Sequence, residues 1–274
     1  MQAPDPGFVE SPANAHARSP HQVRTWYAPV AQIYARVRPA HPQELIEWAI
    51  AQTHLSNTSR LLEIGCGPGN ATLAFAPFGM SMTCLEPNPH FYHLAQHRCA
   101  AFDNVTFHNS FFEAWPAPPG SFQAVLAANA FHWLPPEIRC VKSAELLQED
   151  GFLILLWNLM PEPSLEVYEA IESLYQAYAP SLARYEGAIV QAEILQGFGQ
   201  AVLDSGHFKT VVTEQMTCQV TYGVEEFLQL LSTLRRLEPG TQSILFEKLR
   251  ETLQPFGETV SLSFLSAVQI AQKL

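Results

Sequence analysis

The sequence predicts an α/β fold built on a parallel sheet, and two observations lead to this class. Short apolar runs of strand length alternate with helical stretches along the first half of the chain, a pattern typical of right-handed strand–helix–strand crossovers. The 274 residues are 47% hydrophobic and only 15% charged, against about 25% charged in an average soluble domain. A large buried core is therefore available, and no repeat of solenoid or propeller length is visible.

Five short apolar runs predict the strands of the sheet. They are Arg60–Ile64, Ser81–Leu85, Val105–Asn109, Ala124–Ala128 and Phe152–Trp157. Helical periodicity predicts helices before, between and after them, at Val23–Arg38, Pro42–Thr53, Ala71–Ala76, Pro89–Cys99, Glu137–Gln148, Leu165–Ala179, Ala192–Asp204, Val224–Leu237 and Thr241–Leu253. Two β-rich segments, residues 209–222 and 259–272, could pair with each other as an antiparallel edge.

The predicted domain begins after a polar, proline-containing N-terminal stretch. Pro4, Pro6, Pro12 and Pro20 fall in a segment of low apolar content, which is typical of a solvated tail. We therefore expect a flexible tail over residues 1–21 and one domain over residues 22–274.

Charge and hydropathy exclude several classes of function. The net charge of −11 repels phosphate backbones and anionic lipid, so neither nucleic acid nor a membrane surface is expected as a partner. The longest apolar run, Phe152–Trp157, is far shorter than the roughly 20 residues that span a bilayer. No secretory signal is visible, and the five cysteines are scattered, so a cytoplasmic protein with reduced thiols is expected.

The most informative stretch runs from Leu61 to Thr72, LLEIGCGPGNAT. A predicted strand leads directly into Gly65, Gly67 and Gly69, and a helix follows. Glycines at alternate positions allow a tight turn and let a ligand approach the main chain. An acid that can accept ribose hydroxyls, Glu86, ends the second strand about 20 residues after the first glycine. A dinucleotide loop would need a sixth-position glycine, where Asn70 stands, so the spacing argues against a nicotinamide-dependent oxidoreductase.

These residues resemble the class I S-adenosylmethionine-dependent methyltransferases, within them the type 11 small-molecule group. The resemblance lies in LLEIGCGPG and LEPNP, continues through NVTFHNSFFEAWPAPPGSFQAVLAANAFHWL to GFLILLWN, and covers roughly residues 60–158. Upstream, YARVRPAHP is similar to a segment of trans-aconitate-type relatives. The resemblance implies a Rossmann-like seven-stranded sheet, mostly parallel with an antiparallel last strand, with its core at residues 60–158. It also implies a helical cap insertion, at residues 224–253.

The resemblance also implies a cofactor, S-adenosyl-L-methionine, with S-adenosyl-L-homocysteine as the product. Glu63 and the three glycines would line the methionine and ribose side, and Glu86 would bind the ribose hydroxyls. Pro87 and Asn88 would lie beside the adenine. Phe111 stands where relatives usually present an acid to the adenine, so stacking and main-chain groups of Phe111 or Phe112 would hold it. The implied cofactor-binding residues are Glu63, Gly65, Gly67, Gly69, Glu86, Pro87, Phe111, Phe112 and Ala128.

For the acceptor, the resemblance places His132 and Trp133 at the rim of the site. His132 could be a general base or a hydrogen-bond partner of the acceptor, or it could be a structural residue bonded to a loop carbonyl. Tyr34 and Arg38 could close over the cofactor or bind an anionic acceptor, or they could only cap a helix. His90, His93 and His97 share a helical face, which we interpret as a solvated surface and not as a metal site.

The function implied is methyl transfer to an oxygen, nitrogen or carbon of a small organic molecule. The alternative is a catalytically silent module that binds the cofactor or its product, an interpretation suggested by Phe111 in place of the usual acid. Neither the acceptor nor the oligomeric state can be inferred from the residues.

Overall fold

The computed structural model describes residues 28–234 and 239–274. The expected tail at residues 1–21 and the start of the first expected helix lie outside these ranges. Among the described residues, no helix combines the length and apolar character that a membrane span requires.

Eight strands form one sheet in the described part of the chain. They are β1 (Arg60–Ile64), β2 (Ser81–Leu85), β3 (Val105–His108), β4 (Phe122–Ala128), β5 (Leu147–Asn158), the two-residue β6 (Glu162–Pro163), β7 (Phe208–Gly223) and β8 (Thr259–Lys273). The order is β3-β2-β1-β4-β5-β8, with β6 and β7 also pairing with β8. The pairs among β1 to β5 are parallel, and β8 runs antiparallel to β5, β6 and β7. The expected parallel sheet with an antiparallel last strand is confirmed.

The helices cover the sheet and connect its strands. They are α1 (Ala31–Val37), α2 (Gln43–Thr53), α3 (Asn70–Phe75), α4 (Pro89–Arg98), α5 (Pro136–Leu146), α6 (Leu165–Tyr178), α7 (Ala188–Asp204), α8 (Val224–Ser232) and α9 (Pro239–Leu253). Short 3-10 helices occur at Ala28–Val30, Ala76–Phe78, Phe131–Trp133, Pro180–Leu182 and Gln254–Phe256.

Local sequence explains where several of these elements begin and end. Asn88 caps α4, since its Oδ1 accepts hydrogen bonds from the backbone N–H groups of His90 and Phe91, and Pro89 suits the first helical position. The helix expected to reach Gln148 ends instead at Leu146, because Leu147 is extended and pairs with Phe122 of β4. Pairing with a neighbouring strand therefore overrides helical periodicity at this boundary.

Buried apolar side chains form three clusters. Two of them cover the two faces of the sheet, one around Trp157 and the other around Phe75. The third joins α6, α8 and α9 to the C-terminal end of α1 and includes Ile171, Phe227 and Val37. The segment expected to form the cap, residues 224–253, thus contains α8 and α9, with residues 235–238 outside the described ranges.

Candidate functional site

The glycine loop follows β1 at the edge of the sheet where the parallel strands end. Gly65, Gly67 and Gly69 all have positive φ, +62°, +55° and +84°, which side chains rarely tolerate. A Cβ on Gly65 would stand 2.9 Å from the Cβ of Ala130, which follows β4, whereas one on Gly67 would meet no atom within 4 Å. The loop therefore packs closely against the end of β4 and leaves open space over Gly67.

Glu86 lies beside this loop, as its spacing predicts. Its side chain is only 6% exposed. One carboxylate oxygen accepts the N–H of Gly67 at 2.8 Å, and the other accepts the N–H of Asn88 at 2.7 Å. Burial raises the pKa of the Glu86 carboxyl to about 7, although both backbone hydrogen bonds favour the charged form. The acid is thus held in place at the carboxyl end of β2, where ligands bind in open parallel sheets.

Glu63 is a second buried acid, on β1 itself, and is 1% exposed. Its Oε2 accepts hydrogen bonds from the Thr72 hydroxyl at 2.6 Å and the Cys84 thiol at 3.5 Å. Its Oε1 is buried and has no hydrogen-bond partner within the described ranges. Burial raises the pKa of this carboxyl to about 7, and the nearby Glu86 acts in the same direction. One oxygen of Glu63 therefore needs a proton or an outside donor.

The residues expected on the adenine side are Pro87, Asn88 and the two phenylalanines. Asn88 is 3% exposed, and its Nδ2 is a buried donor without an acceptor in the part of the chain that is described. Phe111 is half-buried, whereas Phe112 is 2% exposed and packs in the core with the Lys142 ammonium 5.2 Å from its ring centre. The Phe112 ring is thus buried in the core, so only the main-chain groups of Phe112 could contact a ligand. The Phe111 ring keeps partial exposure.

Helix α1 and the loop after it cross this edge of the sheet. Tyr34 packs edge-on against Phe91 of α4, with ring centroids 5.2 Å apart. At the other end of the segment, Asn158 of β5 donates from Nδ2 to the carbonyls of Pro39 and Ala40, at 3.0 and 3.2 Å. Residues 34–40 therefore bridge from the helix that follows Glu86 to the carboxyl end of β5.

Arg38 is held within this bridging segment. Its guanidinium carbon lies 5.0 Å from the Tyr34 ring centroid. Its Nε donates to the Thr233 hydroxyl at 3.0 Å, and its Nη2 lies 3.4 Å from the Thr233 carbonyl. The contact fastens α1 to the end of α8, which sequence reasoning did not anticipate.

His132 lies in the 3-10 helix Phe131–Trp133, which follows β4. Its ring centroid is 5.1 Å from that of Trp133 and 5.7 Å from that of Trp157. Its Nδ1 is buried without a hydrogen-bond partner among the described residues, so the loop-carbonyl contact considered above is not found at this atom. Burial lowers the pKa of His132 to about 3, with Arg139 acting in the same direction. The imidazole is therefore neutral at ordinary pH and available as a hydrogen-bond acceptor.

An asparagine pair that sequence reasoning missed positions the end of β4 against the end of β5. Asn129, at φ +48°, accepts the Asn158 N–H at Oδ1 and donates from Nδ2 to the Asn158 carbonyl, both at 2.9 Å. The Ser266 hydroxyl donates to the Asn158 Oδ1 at 2.6 Å. Asparagine tolerates the left-handed conformation better than most residues. This preference is the signal in the sequence that could have pointed to Asn129.

The histidines on α4 are surface residues. His90, His93 and His97 are all exposed. Across the described ranges, no group of three or more histidine, cysteine or acidic side chains is arranged to hold a metal ion.

The sheet and the glycine loop together define a class of protein. A 3-2-1-4-5 parallel sheet closed by an antiparallel last strand carries a glycine loop after β1 and a buried acid after β2. This combination is the one that the resemblance to class I S-adenosylmethionine-dependent methyltransferases implied.

Comparisons with known proteins agree with this class. Residues 61–151 match a family model described as a methyltransferase domain. An uncharacterized methyltransferase of Mycobacterium bovis is 30% identical over 129 residues, 47% of this chain and 50% of that protein. The malonyl-[acyl-carrier protein] O-methyltransferase of a Paenibacillus species is 25% identical over 212 residues, 74% of this chain and 75% of that protein.

A solved structure shares the fold. That of a proposed type II methyltransferase from Anaeromyxobacter dehalogenans has a TM-score of 0.60 at 16% identity, and the match covers 86% of this chain and 97% of that one. Residues 61–151 thus match a methyltransferase domain, within a chain that has the fold of the class I S-adenosylmethionine-dependent methyltransferases. The match to the Mycobacterium protein spans about half the length of that relative.

Proposed function

We propose that this protein transfers a methyl group from S-adenosylmethionine to a small organic acceptor. The observation that carries the proposal is the contact between Glu86 and Gly67, which brings a buried carboxylate onto an open glycine loop at the carboxyl ends of β1 and β2. The net charge of −11 favours a small molecule over nucleic acid as the acceptor. The cytoplasmic location inferred from the sequence remains a prediction.

The residues present fit the cofactor. The open space over Gly67 would let a ribose approach the main chain, and the Glu86 carboxylate could accept its hydroxyl hydrogens. Glu63 Oε1 and Asn88 Nδ2 are a buried acceptor and a buried donor that bound cofactor could satisfy, directly or through water. Gly65 and Gly69 shape the loop, Pro87 and Phe111 would border the adenine, and Ala128 lies at the end of β4.

The chemistry needs alignment more than acid–base strength. S-adenosylmethionine supplies a sulfonium methyl, which is already an activated electrophile. The chain would hold the acceptor in line with that methyl and exclude competing water. Helix α1 with Tyr34 and Arg38 would cover the crevice, while His132 and Trp133 would border the acceptor.

The surroundings of His132 favour a hydrogen-bonding role over a general base. A general base works best when its pKa is near the operating pH, whereas burial holds that of His132 near 3. The acceptor atom that receives the methyl group can be oxygen, nitrogen or carbon. The similarity to an O-methyltransferase over 74% of the chain supports oxygen as one candidate.

Calorimetry and a transfer assay test the proposal together. We expect S-adenosylmethionine and S-adenosylhomocysteine to bind and NAD not to bind. We also expect the purified protein to move a labelled methyl from S-adenosylmethionine into a component of a small-molecule extract. Failure of both cofactor forms to bind would refute the proposal. Tight binding without transfer across a broad acceptor screen would favour the silent binding module.

A further inference from the structure

His41 is a histidine of the acceptor side that sequence reasoning passed over. It follows Pro39 and Ala40, whose carbonyls are bonded to the Asn158 side chain at the end of β5. Because β1, β2, β4 and β5 are parallel, the end of β5 lies at the same edge of the sheet as Glu86 and the glycine loop. His41 is therefore placed where the bridging segment reaches the β5 end of the crevice, beyond the cofactor-binding loop.

The His41 imidazole has one polar atom without a protein partner. The ring is partly buried and hydrogen bonds to the Asn158 side chain. Its Nδ1 is fully buried and contacts no donor within the described ranges. Burial lowers the pKa of His41 to about 4 and outweighs the hydrogen bond to Asn158, which acts to raise it. The ring is thus neutral at ordinary pH, and a neutral ring has one nitrogen that accepts.

A buried acceptor without a donor is costly, at about 1–3 kcal/mol. Buried polar atoms in folded proteins nearly always find a partner, in water or in a ligand when protein offers none. His132 Nδ1, after β4, is in the same situation. Two neutral imidazoles that each lack a donor therefore lie in segments next to the ends of neighbouring strands, β4 and β5, and the Asn129–Asn158 pair joins those two strand ends.

We propose that His41 Nδ1 accepts a hydrogen bond from a hydroxyl or amine of the methyl acceptor, and so selects acceptors that carry a proton. The inference rests on the proposed methyl transfer. In the reaction, the bond from sulfur to methyl breaks, a bond from methyl to oxygen or nitrogen forms, and one proton is released to water. His41 orients the acceptor and does not keep the proton.

Carboxylate acceptors fit this position less well. A carboxylate at neutral pH has no proton to donate, and its negative oxygens would face the lone pair of Nδ1. The bridging segment offers Arg38 as a cation, but Thr233 already engages its guanidinium. The arrangement therefore favours an ether or a methylamine product over a methyl ester.

Three variants of His41 distinguish the contribution of Nδ1 from that of Nε2. Asparagine places a polar side-chain atom close to the position of Nδ1, whereas glutamine places it close to the position of Nε2. The test compares His41→Asn, His41→Gln and His41→Leu, with His97→Leu on the exposed face of α4 as the control. Each protein is assayed with labelled S-adenosylmethionine and the labelled component of the small-molecule extract, purified for the purpose.

We expect His41→Leu and His41→Gln to raise the KM for that acceptor about 10-fold, the scale of one hydrogen bond, while His41→Asn and His97→Leu stay within about 3-fold. Affinity for S-adenosylhomocysteine and the unfolding temperature should stay close to those of the wild type in all four. Calorimetry of the acceptor on the S-adenosylhomocysteine-loaded protein should reproduce the order of the KM values. The label in the product should survive mild alkali, which hydrolyses methyl esters.

Several results would overturn the inference. Rescue by glutamine and not by asparagine would assign the effect to the contact with Asn158. A parallel loss of S-adenosylhomocysteine affinity in His41→Leu would make His41 part of the cofactor site. Label released as methanol by alkali would identify a carboxylate acceptor. If the wild type binds cofactor but transfers no label, the proposed activity itself fails and the inference fails with it.

Discussion

The two halves of the crevice, the one proposed to bind the cofactor (the cofactor half) and the one proposed to bind the acceptor (the acceptor half), are built in different ways. Most of the cofactor half comes from residues 63–88, and the main contacts there lie within that one segment, such as Glu86 to Gly67 and Glu63 to Thr72. The acceptor half is assembled from residues distant in the chain, at positions 34–41, 129–133, 158 and 233. The first half can be fixed by a local motif, whereas the second depends on the completed tertiary structure.

The largest expected effect on stability and binding comes from a substitution at the contact between the two halves. Gly65→Ala adds a left-handed alanine, at about 1–2 kcal/mol, and a Cβ 2.9 Å from Ala130. We expect more than about 3 kcal/mol of lost stability together with loss of S-adenosylhomocysteine binding, measured by denaturant unfolding and calorimetry. Gly120→Ala is the control, because Gly120 has φ +66° but no atom within 4 Å of the added Cβ. Equal effects of the two substitutions would contradict the close packing of the halves.

Glu86→Ala should damage the cofactor half alone. Loss of charge-assisted hydrogen bonds to ribose should weaken S-adenosylhomocysteine binding by roughly 1.5–3 kcal/mol, as measured by calorimetry. Glu149→Gln, which removes an acid whose side chain is 95% exposed, should leave binding unchanged. Unchanged affinity in the Glu86 variant would remove the main support for the cofactor assignment.

Asn129 tests the acceptor half. Asn129→Gly keeps the left-handed backbone but loses both hydrogen bonds to Asn158, so we expect about 1–2 kcal/mol lower stability and about 10-fold lower turnover, with S-adenosylhomocysteine affinity retained. Asn104→Ala is matched to it, because Asn104 Nδ2 also bonds two carbonyls, those of Ala76 and Met80, where β3 begins. Asn104→Ala should lose stability without losing turnover. A similar loss of turnover in both variants would show that lower stability, and not the acceptor half, causes the effect.

The pH dependence of binding sharpens the role of Glu86. Its pKa is raised to about 7, and ribose hydroxyls bind the charged form, so affinity should rise with pH. Between pH 6 and 8 the ionised fraction grows from about a tenth to about nine-tenths, which predicts up to about 10-fold tighter S-adenosylhomocysteine binding. Glu63 titrates in the same range, so calorimetry should compare Glu86→Gln with Glu63→Gln. A slope that persists in Glu86→Gln would assign the titration to Glu63.

The smallest effect distinguishes two roles of Arg38. If Arg38 acts by fastening α1 to Thr233, Arg38→Leu and Thr233→Val should each lower turnover by less than about 5-fold, and the double variant should be no worse than the poorer single one. A much larger rise in acceptor KM for Arg38→Leu alone would instead support direct binding of an anionic acceptor. Initial rates over a range of acceptor concentrations measure both.

The contrast between the halves also explains what the sequence could predict. β1 and β2 were predicted to the residue, because they depend on local periodicity. The turn at the three glycines and the position of Glu86 beside it also followed from spacing along the chain. The break at Leu147 was missed, since pairing with Phe122 decides it. Asn129, Asn158 and His41 were not among the candidate site residues for a similar reason, because the roles proposed for them arise from contacts between segments far apart in the chain.

Helix α1 is tied to its neighbours by more than Arg38. The Arg36 guanidinium donates to Gln229 of α8 at 2.7 Å, and the Tyr222 hydroxyl, at the end of β7, donates to the Val37 carbonyl. Lifting α1 from the crevice while α8 stays in place would break these contacts together, so the two move most easily as one body. If methyl transfer takes place in the crevice under α1, exchange of spent cofactor and release of methylated product would share a single opening event, and its rate would set an upper limit on turnover.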